Sequence, residues 1–396
     1  MAGARAPPST EPATQHDTTT NRLGTGVAAD LTWEMDVLKT LENARKAERK
    51  QVDKIRTASP KRALHHQLEY LKSGSAKATA AYKAIRRDKK ADEVVDADVQ
   101  ALAQSLQPFA PCTEPVKIIR VPKGLGEGYR KIQAPGPQRY ALNRMARRCL
   151  EARFVPHPGQ YAVRGKGRDR ACADLARAIH QDERRYATVL DIKDAYGSAG
   201  TITGLPLPKA AYHLVSLCPY DEGELGVSSD GLPQGAAASD LALAMILQPM
   251  LDMMPPEVVS FLYVDDLVCL SGSADAAAAT SEALMQALSV LPGGFTPKFL
   301  REVPLSEGFT YLGYFMWRDH SGEVQIRVSE KAIDSLGNKC RRKAAKGYSQ
   351  EQIHDALISW RESYSLAKFE EDQIYYIDRL PSEAKLIVEQ DPGFAS

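Results

Sequence analysis

The chain has no run of about 18 uncharged apolar residues, the length a helix needs to cross a bilayer, so a helical membrane span is not expected. Its opening, Met1-Ala-Gly-Ala-Arg-Ala-Pro-Pro-Ser-Thr10, lacks the apolar core of a secretory signal. The six cysteines are scattered, with no Cys-x-x-Cys pair, which argues against a zinc site or a disulfide framework. A reducing, cytoplasmic setting fits that usage. Net charge is also nearly absent, since 51 lysines and arginines face 50 acids for a formal +1 at pH 7.

That neutrality hides a segregation. Residues 39–90 carry 16 Lys/Arg against five acids, residues 117–170 carry 14 against three, and residues 327–346 carry seven against two. Three basic blocks in one neutral chain suit a protein that grips a polyanion. Solvated helix faces would account for any single block equally well. At 396 residues, 43% hydrophobic and 26% charged, the composition is globular and long enough for a multi-lobed enzyme or two to three domains.

Residues 1–30 are rich in Thr, Pro, Ala and Gly without apolar periodicity and are expected to be disordered. Residues 31–107 read as a basic helical extension: Leu31, Met35, Leu38 and Leu41 recur at helical spacing, and a second helix around His65 and His66 breaks at Ser73-Gly-Ser75. Adjacent histidines leave a helix on different sides, so a shared metal there is not expected. Residues 116–121 and 129–132 read as strands joined by the glycine-rich Lys123–Gly128, a hairpin rather than a phosphate loop. Helices are predicted over 139–154, 173–181, 241–251 and 274–291, and strands over 186–191, 309–317 and 324–328, with helix from there to about residue 380. Mixed strands and helices predict an α+β fold rather than a regular parallel sheet.

Two places concentrate acid in apolar surroundings. Tyr186-Ala-Thr-Val-Leu-Asp191 is a short apolar strand ending in a carboxylate, and residues 258–270 are apolar except for Asp265-Asp266 at a predicted tight turn. Asp is a common turn residue. Two adjacent acids drawn toward an apolar sheet would also repel each other, and a bound cation would relieve that cost. Spacing alone leaves the turn and the metal readings even. Magnesium takes hard oxygen ligands and few carboxylates, and nucleotide polymerisation needs two such ions about 3.5–4 Å apart, held by two or three aspartates at strand ends.

Four motifs in order carry a resemblance. Leu190-Asp-Ile-Lys-Asp-Ala-Tyr196 resembles the first carboxylate motif of reverse transcriptases, Gly231-Leu-Pro-Gln-Gly235 their Pro-Gln-Gly motif, Tyr263-Val-Asp-Asp266 their tyrosine-x-Asp-Asp box, and Phe309-Thr-Tyr-Leu-Gly-Tyr314 their primer-grip strand. The resemblance covers about residues 115 to 345. It implies a right-hand polymerase with fingers and palm over 108–325, a helical thumb and tail over 326–396, and RNA-directed DNA synthesis. Asp191, Asp265 and Asp266 would be the catalytic carboxylates for two Mg2+ ions (Mn2+ as substitute), with the carbonyl of Ile192 completing a coordination sphere. Tyr196 would be the steric gate that excludes a 2′-hydroxyl, although a core tyrosine is the plain alternative. Gln234 and Gly235 would line the nucleotide pocket. Arg130, or in its place Lys131, would clasp the triphosphate, and Lys298 would sit near the leaving pyrophosphate. Tyr311, Leu312 and Gly313 would form the primer grip. Partners implied are an RNA template, a DNA product and deoxynucleoside triphosphates; template-independent synthesis, or an idle RNA-binding scaffold, remain the alternatives.

Departures narrow the type. Gly159-Gln-Tyr-Ala-Val-Arg-Gly-Lys-Gly-Arg168 looks like a worn form of a segment in bacterial and group II intron enzymes, and Gln325-Ile-Arg-Val-Ser-Glu-Lys-Ala-Ile333 like the start of their thumb. Ala236-Ala-Ala-Ser-Asp240 lacks the proline expected after the serine, and the retron triplet Val-Thr-Gly is missing. No room is expected for a maturase, endonuclease or RNase H domain. The pattern is similar to stand-alone bacterial reverse transcriptases, many linked to antiphage defence, which copy a dedicated noncoding RNA. Residues 39–90 are the expected RNA-holding segment, and Tyr364, Tyr375 and Tyr376 could offer a priming hydroxyl.

Overall fold

The computed structural model describes residues 26–88, 94–122, 128–181, 183–200, 204–216 and 231–390. The chain divides into two units, Met1–Asn43 and Ala44–Ser396. Of the first unit only the opening part of one helix is described. In order the elements are α1 (Gly26–Thr57), α2 (Pro60–Lys72), α3 (Gly74–Asp88), α4 (Asp96–Ser105), β1 (Val116–Pro122), β2 (Tyr129–Pro135), α5 (Pro137–Arg153), α6 (Arg168–Ile179), β3 (Tyr186–Ile192) and the single turn α7 (Ala195–Ser198). A 3-10 turn, Lys209–Leu214, precedes α8 (Ser239–Asp252), β4 (Val259–Tyr263), β5 (Asp266–Ser271), α9 (Ala274–Val290) and β6 (Pro297–Pro304). The last part holds β7 (Phe309–Tyr311), β8 (Tyr314–Arg318), β9 (Val324–Val328), α10 (Glu330–Ala345), α11 (Gln350–Glu362) and α12 (Glu371–Gln390). The fold is mixed α+β with small antiparallel sheets.

Local chemistry sets the boundaries. Pro60 and Pro137 open α2 and α5, where a missing N–H costs nothing. Ser273, Ser329 and Ser349 cap α9, α10 and α11 through their hydroxyls, and Ser349 with Gln352 completes a capping box.

β4-β5-β3-β6 form the central antiparallel sheet, β1-β2 a hairpin and β7-β8-β9 a small third sheet. The central sheet is covered on both faces. Leu190, Ile192, Leu262, Leu267 and Cys269 join the larger core with α5, α8 and α9. Ala187, Val189, Phe261, Val268 and Leu270 join a second core with α6 and the β7–β8 hairpin. Thr188 is buried too, and donates to the Ala277 carbonyl of α9 at 3.3 Å. With apolar cover on both sides, β3 and β5 read as continuous apolar runs instead of alternating ones. A third core joins α10, α11 and α12.

Several expectations shift. Helix α1 begins at Gly26, so residues 26–30 are helical, while the disorder expected for 1–25 lies outside the described residues. Likewise the connection between β1 and β2 at 123–127 lies outside them, but Pro122 pairs with Tyr129 as a hairpin requires. Helix α6 starts at Arg168, five residues early, because its polar opening turn hides the helical period. The strand predicted over 309–317 is two strands folded at Leu312-Gly313, both with positive φ (49° and 87°), the pattern of a type I′ hairpin. Strand β9 covers Val324–Val328 as expected, and the terminal helices begin at Glu330. Among the described residues no helix is long and apolar enough to cross a membrane, and the described cysteines are free.

The β7–β8 hairpin is pinned from outside. Arg168 lies over the rings of Tyr314 and Tyr364, 5.4 and 4.6 Å from their centroids. A Cβ on Gly313 would stand 2.5 Å from the Tyr364 hydroxyl. Gly322 also has positive φ but nothing within 4 Å. Gly313→Ala should therefore destabilise the protein by about 1–3 kcal/mol more than Gly322→Ala, measured by denaturant unfolding; equal costs would show that the Tyr364 contact is not tight.

Candidate active site

Antiparallel pairing places Asp191, near the end of β3, directly across from Asp266, the first residue of β5. On the other side Asp266 pairs with Tyr263. Asp265 lies in the two-residue loop between β4 and β5, where its carbonyl accepts from the Ile192 N–H at 3.4 Å. All three carboxylates thus gather at one end of the central sheet. In that loop only Val264 has positive φ (59°), the φ pattern of a type II′ turn, whose first residue is usually glycine. A β-branched residue held there costs on the order of 1–3 kcal/mol. Val264 is held by the paired strands beside it and by packing against the larger core.

The negative charge of the cluster is only partly compensated. Burial, then the neighbouring Asp265 and Asp191 carboxylates, push Asp266 up to about 7, against the opposing pull of Lys298 and Arg130. Asp265 is also raised, chiefly by burial, with Asp191 adding to it. Lys298 arrives through an irregularity: the β3–β6 register shifts between Asp191 and Ile192, and the lysine Nζ lies 3.1 Å from Asp191 Oδ2. Its side chain is 54% exposed, so this ion pair is worth no more than about 1 kcal/mol and exchanges readily. Arg130 acts on both turn aspartates, whereas Lys131, next along β2, points to the opposite face of the strand.

Tyr196, on α7, packs against the larger core and donates its hydroxyl to Asp240 Oδ1 at 2.6 Å. Burial raises its phenol pKa well above the ordinary value, with Asp240 and then Asp265 adding to it. The segment 231–235 bridges this tyrosine to the β1–β2 hairpin. Leu232 N–H donates to the Tyr196 carbonyl at 2.9 Å, and Gln133 N–H donates to the Gln234 carbonyl at 2.9 Å. Its two glycines are required: a Cβ on Gly231 would meet Tyr196 O at 2.7 Å, and one on Gly235 (φ +100°) would meet the Ile132 side chain at 2.6 Å.

Of the expected primer-grip residues, Tyr311 is buried and donates to the Phe261 carbonyl at 3.1 Å, so only the Leu312-Gly313 turn is partly accessible. Tyr364 is buried, Tyr376 lies against Gly337, and Tyr375 alone of the three tail tyrosines is well exposed. His65 and His66 both meet Glu69, at 3.1 and 3.2 Å.

Sequence reasoning did not find three features. Val264 gives no signal beyond its place in a turn. Asp240 was visible only as a missing proline. The third is a basic cavity of about 880 Å³ that reaches the β4–β5 turn at Tyr263 and Val264. Arg45, Arg49, Lys83, Arg144 and Arg164 line it, and among the described residues none of these five forms an ion pair. Burial, then Arg144, lower the Lys83 pKa, with Glu48 on the same wall opposing them in part.

The donor set at the sheet end is all carboxylate oxygen, which suits a hard divalent ion, and the raised carboxyls are what such an ion would relieve. Among the described residues no group of three or more His, Cys, Asp or Glu is already drawn together as a metal site, and Lys298 holds Asp191. Neither the known protein-family models nor the curated proteins match this chain.

A pH test isolates the cluster. With a folded pKa of about 7 against about 4 when unfolded, Asp266 keeps a proton in the native state that the unfolded chain loses. Its effect is therefore a loss of stability as pH rises from about 4 to 7. In chelator, wild-type protein should lose stability relative to Asp266→Asn between about pH 4 and 7, by unfolding free energy. Parallel pH profiles would contradict the charge crowding.

Proposed function

We propose that the chain is an RNA-directed DNA polymerase resembling stand-alone bacterial reverse transcriptases, with a fingers, palm and thumb arrangement around the central sheet. The observation that carries this reading is the cross-strand pair Asp191–Asp266 with Asp265 in the adjoining turn. Asp191, Asp265 and Asp266 would hold two Mg2+ ions, with the Ile192 carbonyl as a further ligand. When bound, those ions activate a primer hydroxyl and neutralise the triphosphate.

The chain's own residues do the rest. Lys298 balances the charge of Asp191 and would sit on the pyrophosphate side of the site. Arg130 reaches the triphosphate from the β1–β2 hairpin. Gln234 and Gly235 shape the nucleotide pocket, kept in register with that hairpin by the Gln133–Gln234 hydrogen bond. Tyr196 excludes the 2′-hydroxyl. The basic cavity beside the turn takes the phosphates of the RNA template, a noncoding RNA dedicated to this enzyme.

The test is extension of a primer on an RNA template with Mg2+ and deoxynucleotides. Asp265→Asn should lower the rate at least about a hundredfold, the scale of losing one preorganised charge at a reacting centre. Undiminished extension would remove the polymerase reading, and products indifferent to template sequence would favour template-independent synthesis. Absence of incorporation with retained RNA binding would favour an idle scaffold. Tyr196→Ala should admit ribonucleotides; unchanged sugar discrimination would refute the gate.

A second measurement addresses the cavity. The double variant Lys83→Ala/Arg144→Ala should bind RNA more weakly and flatten the slope of log affinity against log salt by about one to two, since each lost phosphate contact removes about 0.7 for a single strand. An unchanged slope would place the RNA elsewhere.

A further inference from the structure

Asp240 follows Ser239 at the start of α8, where the resemblance leads one to expect proline. It is exposed, yet its carboxylate is committed: Oδ1 accepts the Tyr196 hydroxyl at 2.6 Å, a short charge-assisted bond across 44 residues of sequence. The tyrosine is held at its other end as well. Its carbonyl accepts from Leu232 N–H at 2.9 Å, and Gly231 approaches so closely that a Cβ would stand 2.7 Å from that carbonyl. Backbone and hydroxyl are thus fixed independently, by residues 231–232 and by Asp240. Between them the ring has little freedom to swing.

We propose that Asp240 is a positioning residue for sugar selection: it holds the Tyr196 ring where a ribonucleotide 2′-hydroxyl would collide with it. This rests on the polymerase reading. A steric barrier works only as well as it is held, because a ring that swings aside by an ångström admits one extra oxygen. Proline at this position could not supply the bond, so this chain positions its gate by a side-chain acceptor.

The competing role for Asp240 is helix support, since an acid in the first turn of α8 is favourable with the helix dipole. Two variants separate the roles. Tyr196→Phe removes only the hydroxyl and leaves the α8 acid in place, whereas Asp240→Ala removes both the acceptor and the charge. Asp240→Asn keeps an acceptor.

The experiment measures kcat/KM for a ribonucleotide relative to its deoxynucleotide on one RNA template, in wild type, Asp240→Ala, Asp240→Asn, Tyr196→Phe and the Tyr196→Phe/Asp240→Ala pair. Alongside it, a fluorotyrosine placed at position 196 is followed by 19F NMR. Asp240→Ala and Tyr196→Phe should each raise relative ribonucleotide use about tenfold, with no further gain in the pair and a smaller gain in Asp240→Asn. The 19F resonance should move in Asp240→Ala. Unchanged selectivity in Asp240→Ala with active enzyme overturns the proposal and leaves helix support, seen as a lower melting temperature alone. An unmoved 19F resonance overturns it as well. Wild type that incorporates no nucleotide overturns the polymerase reading, and this inference falls with it.

Discussion

The register between β3 and β5 is the constraint on which the site depends. Pairing Leu190 with Leu267 and Asp191 with Asp266 places apolar residues in the two cores and both acids at the open end of the sheet. A slip of one residue would turn Leu190 and Ile192 toward the wrong core and separate the carboxylates. Burial on both faces makes such a slip costly, so the same contacts that stabilise the sheet also fix the acids.

That placement opposes the cluster's own electrostatics. Asp265 and Asp266 are both raised by burial and by their neighbours. The turn that joins β4 to β5 seats Val264 in left-handed backbone. Folding offsets these costs with the apolar strands on either side, and Lys298 offsets part of the charge at Asp191. Its ion pair is exposed enough to be exchangeable.

Much of this was legible in the sequence because the informative segments are short and local. Residues 258–270 announce a hairpin through an apolar run broken by two acids, and the turn falls where the break lies. Asp191 is legible for the same reason. Strand β6 was not: it lies at the sheet edge with little buried surface, so neither alternation nor an apolar run marks it. The place of Lys298 follows from a register shift that no local pattern encodes. Tyr311 marks a different limit. In a three-residue strand, sequence cannot say which face is inward, and this ring belongs to the core. The basic blocks were visible, but residues from Arg45 to Arg164 meet in one cavity only through tertiary packing.

Cavity and carboxylate cluster adjoin at Tyr263 and Val264, so a concentration of positive charge borders one of negative charge. Phosphates suit the first and divalent ions the second. The central claim is that the sheet end is a divalent-cation site, and Mn2+ titration followed by electron paramagnetic resonance tests it most directly, because free and bound Mn2+ give separable signals. Saturable binding by the wild-type chain that weakens at least about tenfold in Asp191→Asn is predicted, the loss expected where a direct carboxylate ligand is removed. Equal binding by wild type and the Asp191→Asn variant would contradict it.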